Sequence, residues 1–151
     1  MSQYVTFTLA DALYGVDVMR VQEVLRVRAR TRVPLAPPDV AGLVNLRGQV
    51  VLTIDLRTRL GLAPLVDDEP TMVVVQVAGE AVSLLVDAVG DVVEVGPDTY
   101  EPPPPTLAPH LRVVIRGTHK LEHRLLLVLD VDAAVAPHPA GPALTPTLEP
   151  R

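Results

Sequence analysis

The stretch Gly42-Leu43-Val44-Asn45-Leu46-Arg47-Gly48-Gln49-Val50-Val51-Leu52-Thr53-Ile54-Asp55-Leu56-Arg57 decides the fold. It opens with apolar residues suited to a strand and breaks at Arg47-Gly48, where glycine admits the positive φ of a tight turn. A second β-branched run follows and ends in Asp55, an acid placed to cap a short helical turn. The stretch therefore reads as strand, turn, strand, helical turn, with Asn45 and Arg47 at the tip. Arg47 either bonds to a nearby carbonyl or acid, or, with Asn45 and Glu23, presents polar groups on an exposed rim for protein recognition. The planar guanidinium suits an interface because it makes several bonds at once.

The chain around this hairpin is short and aliphatic. Its 151 residues support one domain or two small ones with a shared core. Hydrophobic residues make up 48% and aromatic residues only 3%, so the core is built from Val and Leu, which favours strands. The absence of cysteine excludes disulfides, thiolate metal sites and cysteine nucleophiles. No leader pattern or membrane-length apolar run is visible, which predicts a cytoplasmic protein. Residues 1–61 carry a net +3 and residues 62–151 a net −8. That polarity suits oriented docking to charged protein surfaces; nucleic acid would call for a concentrated basic face and stacking aromatics.

Strands are predicted at Tyr4–Leu9, Leu13–Val18, Val21–Val27, Met72–Val77, Ala81–Val86 and Val89–Val95 beside the central hairpin. A second hairpin is expected from Leu111–Ile115 and Leu125–Leu129. Arg26, Arg28, Arg30 and Arg32 recur at every second position and line one face of an extended chain. They read as an edge that resists edge-to-edge pairing, or as a partner-binding row. Val66–Pro70 is an acidic loop and Pro102–Pro105 a stiff one. Residues 137–151, rich in Pro, Ala and Thr, are expected to be disordered.

The two halves repeat. Val5–Ala12 aligns with Val73–Glu80, and Val21–Val27 with Val89–Val95, at an offset of 68. Leu46-Arg47-Gly48 aligns with Ile115-Arg116-Gly117 at 69, and Gln49–Leu56 with Arg124–Val131 at 75, which predicts a second hairpin six residues longer than the first. The repeat implies an all-β fold of two units of about five strands, closed or nearly closed into barrels, with short helical turns. The barrels are expected near residues 4–62 and 70–136 of one domain spanning 1–136, with intertwined edges allowed. Units of about 60 residues are marginal alone and must share apolar surface.

Catalytic readings are weaker. His119-Lys120-Leu121-Glu122-His123 matches the H-x-x-E-H pattern of zinc peptidases, but that chemistry needs a helix and the segment lies in a hairpin; its plainer reading is a solvated turn. Ser2 and Ser83 lack a nucleophile elbow, no phosphate loop is present, and Asp55 and Asp130 look like matched caps. No cofactor or metal is expected.

With these residues in view, the chain resembles the CheW family of chemotaxis coupling proteins. The likeness is carried by Phe7-Thr8-Leu9, Tyr14-Gly15-Val16-Asp17, Val21-Gln22-Glu23-Val24, Val33-Pro34 with Pro37, Gly42–Gly48, Ile54-Asp55-Leu56-Arg57 and Leu85-Val86-Asp87. The resemblance implies two five-stranded SH3-like β-barrels. It implies a non-enzymatic adaptor linking the cytoplasmic tips of methyl-accepting chemoreceptors to the regulatory domain of a CheA-type histidine kinase, in a ring-like array at the inner face of the membrane. Carried over by position, Glu23, Asn45 and Arg47 belong to the receptor-facing surface, and Val5, Val18, Val21 and Gly90 lie near kinase docking. The same adaptor fold in a pathway for pilus motility or gene regulation stays open. Leu52 stands where the family usually has Pro, which restores a backbone donor and predicts a more regular strand. The Arg row and the Pro-rich tail are not general family features.

Overall fold

The computed structural model describes residues 1–26, 29–63 and 70–136. The acidic loop and the tail expected at 137–151 lie largely or wholly outside these residues, as does Arg28 of the Arg row. β1 (Ser2–Leu9) and β2 (Ala12–Asp17) form a hairpin, and a 3-10 turn at Val18–Arg20 leads into β3 (Val21–Arg26). β4 (Val40–Leu46) and β5 (Gln49–Asp55) are the central hairpin, followed by α1 (Leu56–Arg59). β6 (Thr71–Val77), β7 (Glu80–Val86) and β8 (Ala88–Val95) open the second half. The short β9 (Tyr100–Glu101), α2 (Pro109–Arg112), β10 (Ile115–Lys120), β11 (Leu125–Leu129) and α3 (Val131–Val135) complete it.

Two sheets result, in the orders β8-β1-β2-β11-β10-β9 and β3-β6-β7-β5-β4. Sheet membership does not follow the halves near 4–62 and 70–136. The hairpin β1–β2 sits in the sheet of β8, β10 and β11, and the hairpin β6–β7 sits between β3 and β5. The exchange therefore involves whole hairpins, beyond the edges. It is symmetric: β1 pairs antiparallel with β8 as β6 does with β3, and β2 pairs parallel with β11 as β7 does with β5. Leu52 sits in mid-strand, opposite Leu43 on one side and Val82 on the other.

The register corrects the repeat alignment. Asp55 N–H donates to Asp39 O and Asp130 N–H donates to Val114 O, both at 2.8 Å, so the offset is already 75 on entering the second hairpin. Leu46 pairs with Gln49 as Leu121 does with Arg124, so both hairpins close on two residues and neither is longer. The six extra residues lie in the link from β8 to β10 (96–114, nineteen residues, against thirteen at 27–39), where α2 replaces part of the strand expected at Leu111–Ile115. Arg116-Gly117 is consequently inside β10. A Cβ at Gly117 would lie 2.4 Å from the Tyr100 ring, so close packing, and not a turn, requires that glycine.

Burial explains the apolar run in β6. Val73 and Val75 face the main core between the sheets, with Phe7, Leu9, Val16, Ile54, Leu84 and Leu129. Met72 and Val74 face a second core with Val44, Leu46, Val51 and Leu85. A strand buried on both faces needs apolar residues at consecutive positions. Leu56 and Leu60 of the α1 region and Val131 and Ala134 of α3 plug the main core. Asp55 and Asp130 cap these helices by accepting from Thr58 N–H (3.4 Å) and Ala133 N–H (3.1 Å).

Each place where the chain crosses between sheets carries an ion pair, with the charges reversed between the two. At the first crossing Arg20 donates to Asp132 of α3 at 2.6 Å and to Gln76 O at 2.8 Å. At the second, Asp87 accepts from Arg57 of α1 through two bonds of 2.7 Å and from Ala10 N–H at 2.8 Å. Arg59 adds a bond to Ala134 O at 3.0 Å, tying α1 to α3.

The Arg57 guanidinium and the Ala10 amide hold the Asp87 carboxyl below its ordinary value, against the opposing effect of burial. A depressed folded-state pKa stabilises above the unfolded-state value, near 4, and the contribution disappears as pH falls through the folded value. Asp87→Asn should lower stability by roughly 2 kcal/mol at neutral pH, about 5 °C in Tm. Thermal melts should show the gap between variant and wild type closing below pH 4, and a smaller loss for Asp132→Asn, whose carboxylate is largely exposed.

Candidate protein-binding site

Closure of the second sheet makes the site. β3 and β4 are its two edges. The chain leaving β3 folds over until Thr31 exchanges two backbone bonds of 2.8 Å with Leu43 on the free side of β4. In the other sheet β9 does the same for β10, with Thr118 opposite Glu101. Bringing the edges together carries Glu23 of β3 to the turn between β4 and β5. There Arg47 donates to both Glu23 oxygens, at 2.6 and 2.5 Å.

The turn itself is costly. Arg47 has φ 52° and Gly48 φ 84°, the two positive values of a two-residue hairpin turn of type I′. A non-glycine residue pays roughly 1 kcal/mol for that region. Two interactions offset the cost: Gly48 N–H donates to Asn45 Oδ1 at 2.9 Å, and the Arg47 side chain is clamped by Glu23. The Arg47 side chain is 71% exposed against 20% for Glu23, so the carboxylate is screened and the guanidinium faces solvent. Glu23 raises the pKa of Arg47 and fixes its charge. Asn45 lies opposite Val50 in the register, and both are exposed while Val44 and Val51 point inward. The tip thus presents a fixed cation, an amide and an apolar side chain together.

Of the residues expected at a kinase-facing surface, Val5 is buried in β1, and Val18 and Val21 are half-buried at the first crossing. Gly90 is exposed on the edge strand β8, where a Cβ would meet Thr6 Oγ1 at 2.9 Å and disturb its 2.6 Å bond to Asp91 O. The structure unites Glu23, Asn45 and Arg47 in one constellation. The four others spread along the first crossing and the β1–β8 ladder. Sequence reasoning missed the crossing residues Arg20, Arg57, Asp87 and Asp132. Their signal is the repeat spacing, which sets Arg57 against Asp132 at an offset of 75.

The histidine motif is corrected. His119 is not in a solvated turn: it lies on β10, 4% exposed, between the rings of Tyr4 and Tyr100 at 5.8 and 5.4 Å. Thr99 Oγ1 donates to Gly96 O and stands 2.9 Å from His119 Nδ1, an arrangement satisfied when Nδ1 carries the proton. Glu122 and His123 are exposed in the following turn. Extended backbone sets residues four apart about 13 Å from each other, against about 6 Å on a helix, and His123 lies in the turn past the end of β10, so the two histidines do not converge as in the helical motif; among the described residues no cluster of three metal-ligating side chains occurs. No helix among them is long and apolar enough to cross a membrane.

This geometry defines an all-β protein of two interleaved, barrel-like sheets. A family model for the CheW-like domain matches residues 3–137. The chemotaxis protein CheW of Rhizobium meliloti is 33% identical over 135 residues, covering 87% of this chain and 85% of its own. That of Bacillus subtilis is 31% identical, with the same shares. The solved scaffolding protein TtCheW of Thermoanaerobacter tengcongensis superposes with a TM-score of 0.77 at 30% identity, over 85% of this chain and 88% of its own. The chain belongs to the CheW-like domain family.

Burial lowers the pKa of His119, with Asp98 opposing the shift. A lowered folded-state value means that stability falls as pH drops below the ordinary imidazole value of 6.5, because the unfolded chain takes the proton first. An NMR titration of the His119 ring should give a midpoint below 6.5.

Proposed function

We propose that this protein is a non-enzymatic adaptor that couples the cytoplasmic tips of chemoreceptors to a CheA-type histidine kinase in chemotaxis. The observation that carries the reading is the bidentate Arg47–Glu23 pair on an exposed turn. A screened carboxylate orients an open guanidinium, so the donors left to solvent have a fixed direction before any partner arrives. Preorganisation of this kind reduces the ordering cost of binding. Exposed Asn45 and Val50 supply an amide and an apolar contact beside it. The names of the relatives favour chemotaxis over pilus motility or gene regulation as the pathway.

The kinase-facing surface in this reading involves Val18, Val21 and Gly90, with Val5 supporting them from beneath. Its partner is the kinase regulatory domain. The protein carries out no reaction: it holds two partners in one geometry, in the cytoplasm against the receptor array. Weak contacts gain strength through effective concentration when many copies engage in a ring-like lattice. Signal passes if receptor state alters contacts that differ between the kinase-on and kinase-off arrangements.

Arg47→Glu places two carboxylates together on an exposed tip while leaving both cores untouched. It should abolish capture by a soluble chemoreceptor tip fragment with Tm within a few degrees of wild type; full capture by the folded variant would reject the site. Val18→Asp should weaken binding to the kinase regulatory domain at least tenfold with receptor capture retained. A melt run in parallel separates this from unfolding, since Val18 is half-buried.

A further inference from the structure

Arg30 and Arg32 flank Thr31, the residue that closes the second sheet against β4. In extended backbone, residues two apart point to the same side, and both arginines are exposed. The segment is seated by design of the sequence: a Cβ at Gly42, which has φ +139°, would lie 2.7 Å from Thr31 O and 3.3 Å from the Arg30 side chain. Among the described residues neither arginine forms an ion pair. Both line a groove of about 320 Å³ together with Ala36, Pro37, Asp55 and Leu85. Among the described lining residues Asp55 is the one carboxylate, against two guanidiniums, and its Oδ1 accepts from Thr58 N–H at 3.4 Å in capping α1. Beside the groove Leu35 is 96% exposed and held at φ 64°. A β-unbranched apolar side chain in strained backbone and full water is costly twice over, and such strain concentrates at sites of contact.

We propose that this groove docks an acidic segment of a partner protein, bound extended, with alternate carboxylates on Arg30 and Arg32 and an apolar side chain against Leu35. The alternation of the arginines matches the two-residue repeat of an extended ligand. Nucleic acid is disfavoured because among the described residues no aromatic ring lines the groove, and the protein carries a net −5. The surface is additional to the Arg47 tip and does not depend on its role.

The test is fluorescence anisotropy on the full 151-residue protein at 50 mM NaCl, using a fluorescein-labelled heptapeptide that alternates glutamate with leucine. Saturable binding is expected, weakened about tenfold or more by Arg30→Glu/Arg32→Glu and several-fold by 300 mM NaCl. Leu35→Gly keeps the fold, since glycine accepts φ 64° without strain, and should weaken the peptide about threefold. Arg47→Glu should leave peptide affinity unchanged, which separates this site from the receptor-facing tip. The proposal is overturned by no binding, by equal binding of the glutamine version, by indifference to the double reversal in a folded variant, or by tighter binding of polyuridine or phosphatidylglycerol vesicles.

Discussion

Neither half of this chain can complete a sheet from its own strands. β3, β4 and β5 leave a gap that only β6 and β7 fill, and β8, β10 and β11 leave one that only β1 and β2 fill. The exchange follows from burial. The inserted strand β6 is apolar on both faces, and a small barrel alone offers it one dry side. Inserted into the other unit's sheet, it faces a barrel interior on one side and the shared core on the other. The crossing ion pairs fix the orientation of this arrangement. Because Arg20–Asp132 and Arg57–Asp87 have opposite polarity, each crossing recognises its own helix, and the reverse docking of α1 and α3 would set like charges together.

The Arg47–Glu23 tip is a by-product of the same closure. Glu23 and Arg47 stand at opposite edges of a five-stranded sheet, and they meet because that sheet curls until its edges approach. Rigid strands thus position two charges that no local rule would join. The half-buried Arg57–Asp87 pair serves stability, whereas the more exposed Arg20–Asp132 and Arg47–Glu23 pairs contribute less to it, which leaves Arg47 free for contacts with solvent or a partner.

Much of this was legible in the residues. The central hairpin, its Arg47-Gly48 turn and the Asp55 and Asp130 caps follow from glycine conformation and capping chemistry, which are local. The tandem repeat was visible in its order of landmarks. Its register was not, because Val-rich strands align almost equally well at several offsets and Arg116-Gly117 imitates a turn inside β10. The exchange of hairpins was hidden for a related reason: strand pairing is a tertiary choice, and a continuous apolar run such as Met72–Val75 announces burial on two faces without naming the neighbours. His119 was misplaced because its motif was read as a turn, while the aromatic partners that bury it, Tyr4 and Tyr100, come from distant segments.

The interleaving has a consequence for the covalent chain. Strands before Ala63 and after Pro70 meet in four ladders, β1 with β8, β2 with β11, β3 with β6 and β5 with β7. A break of the backbone between those residues severs none of them. The four ladders thus join the two parts of the chain through both sheets independently of the covalent link at mid-sequence.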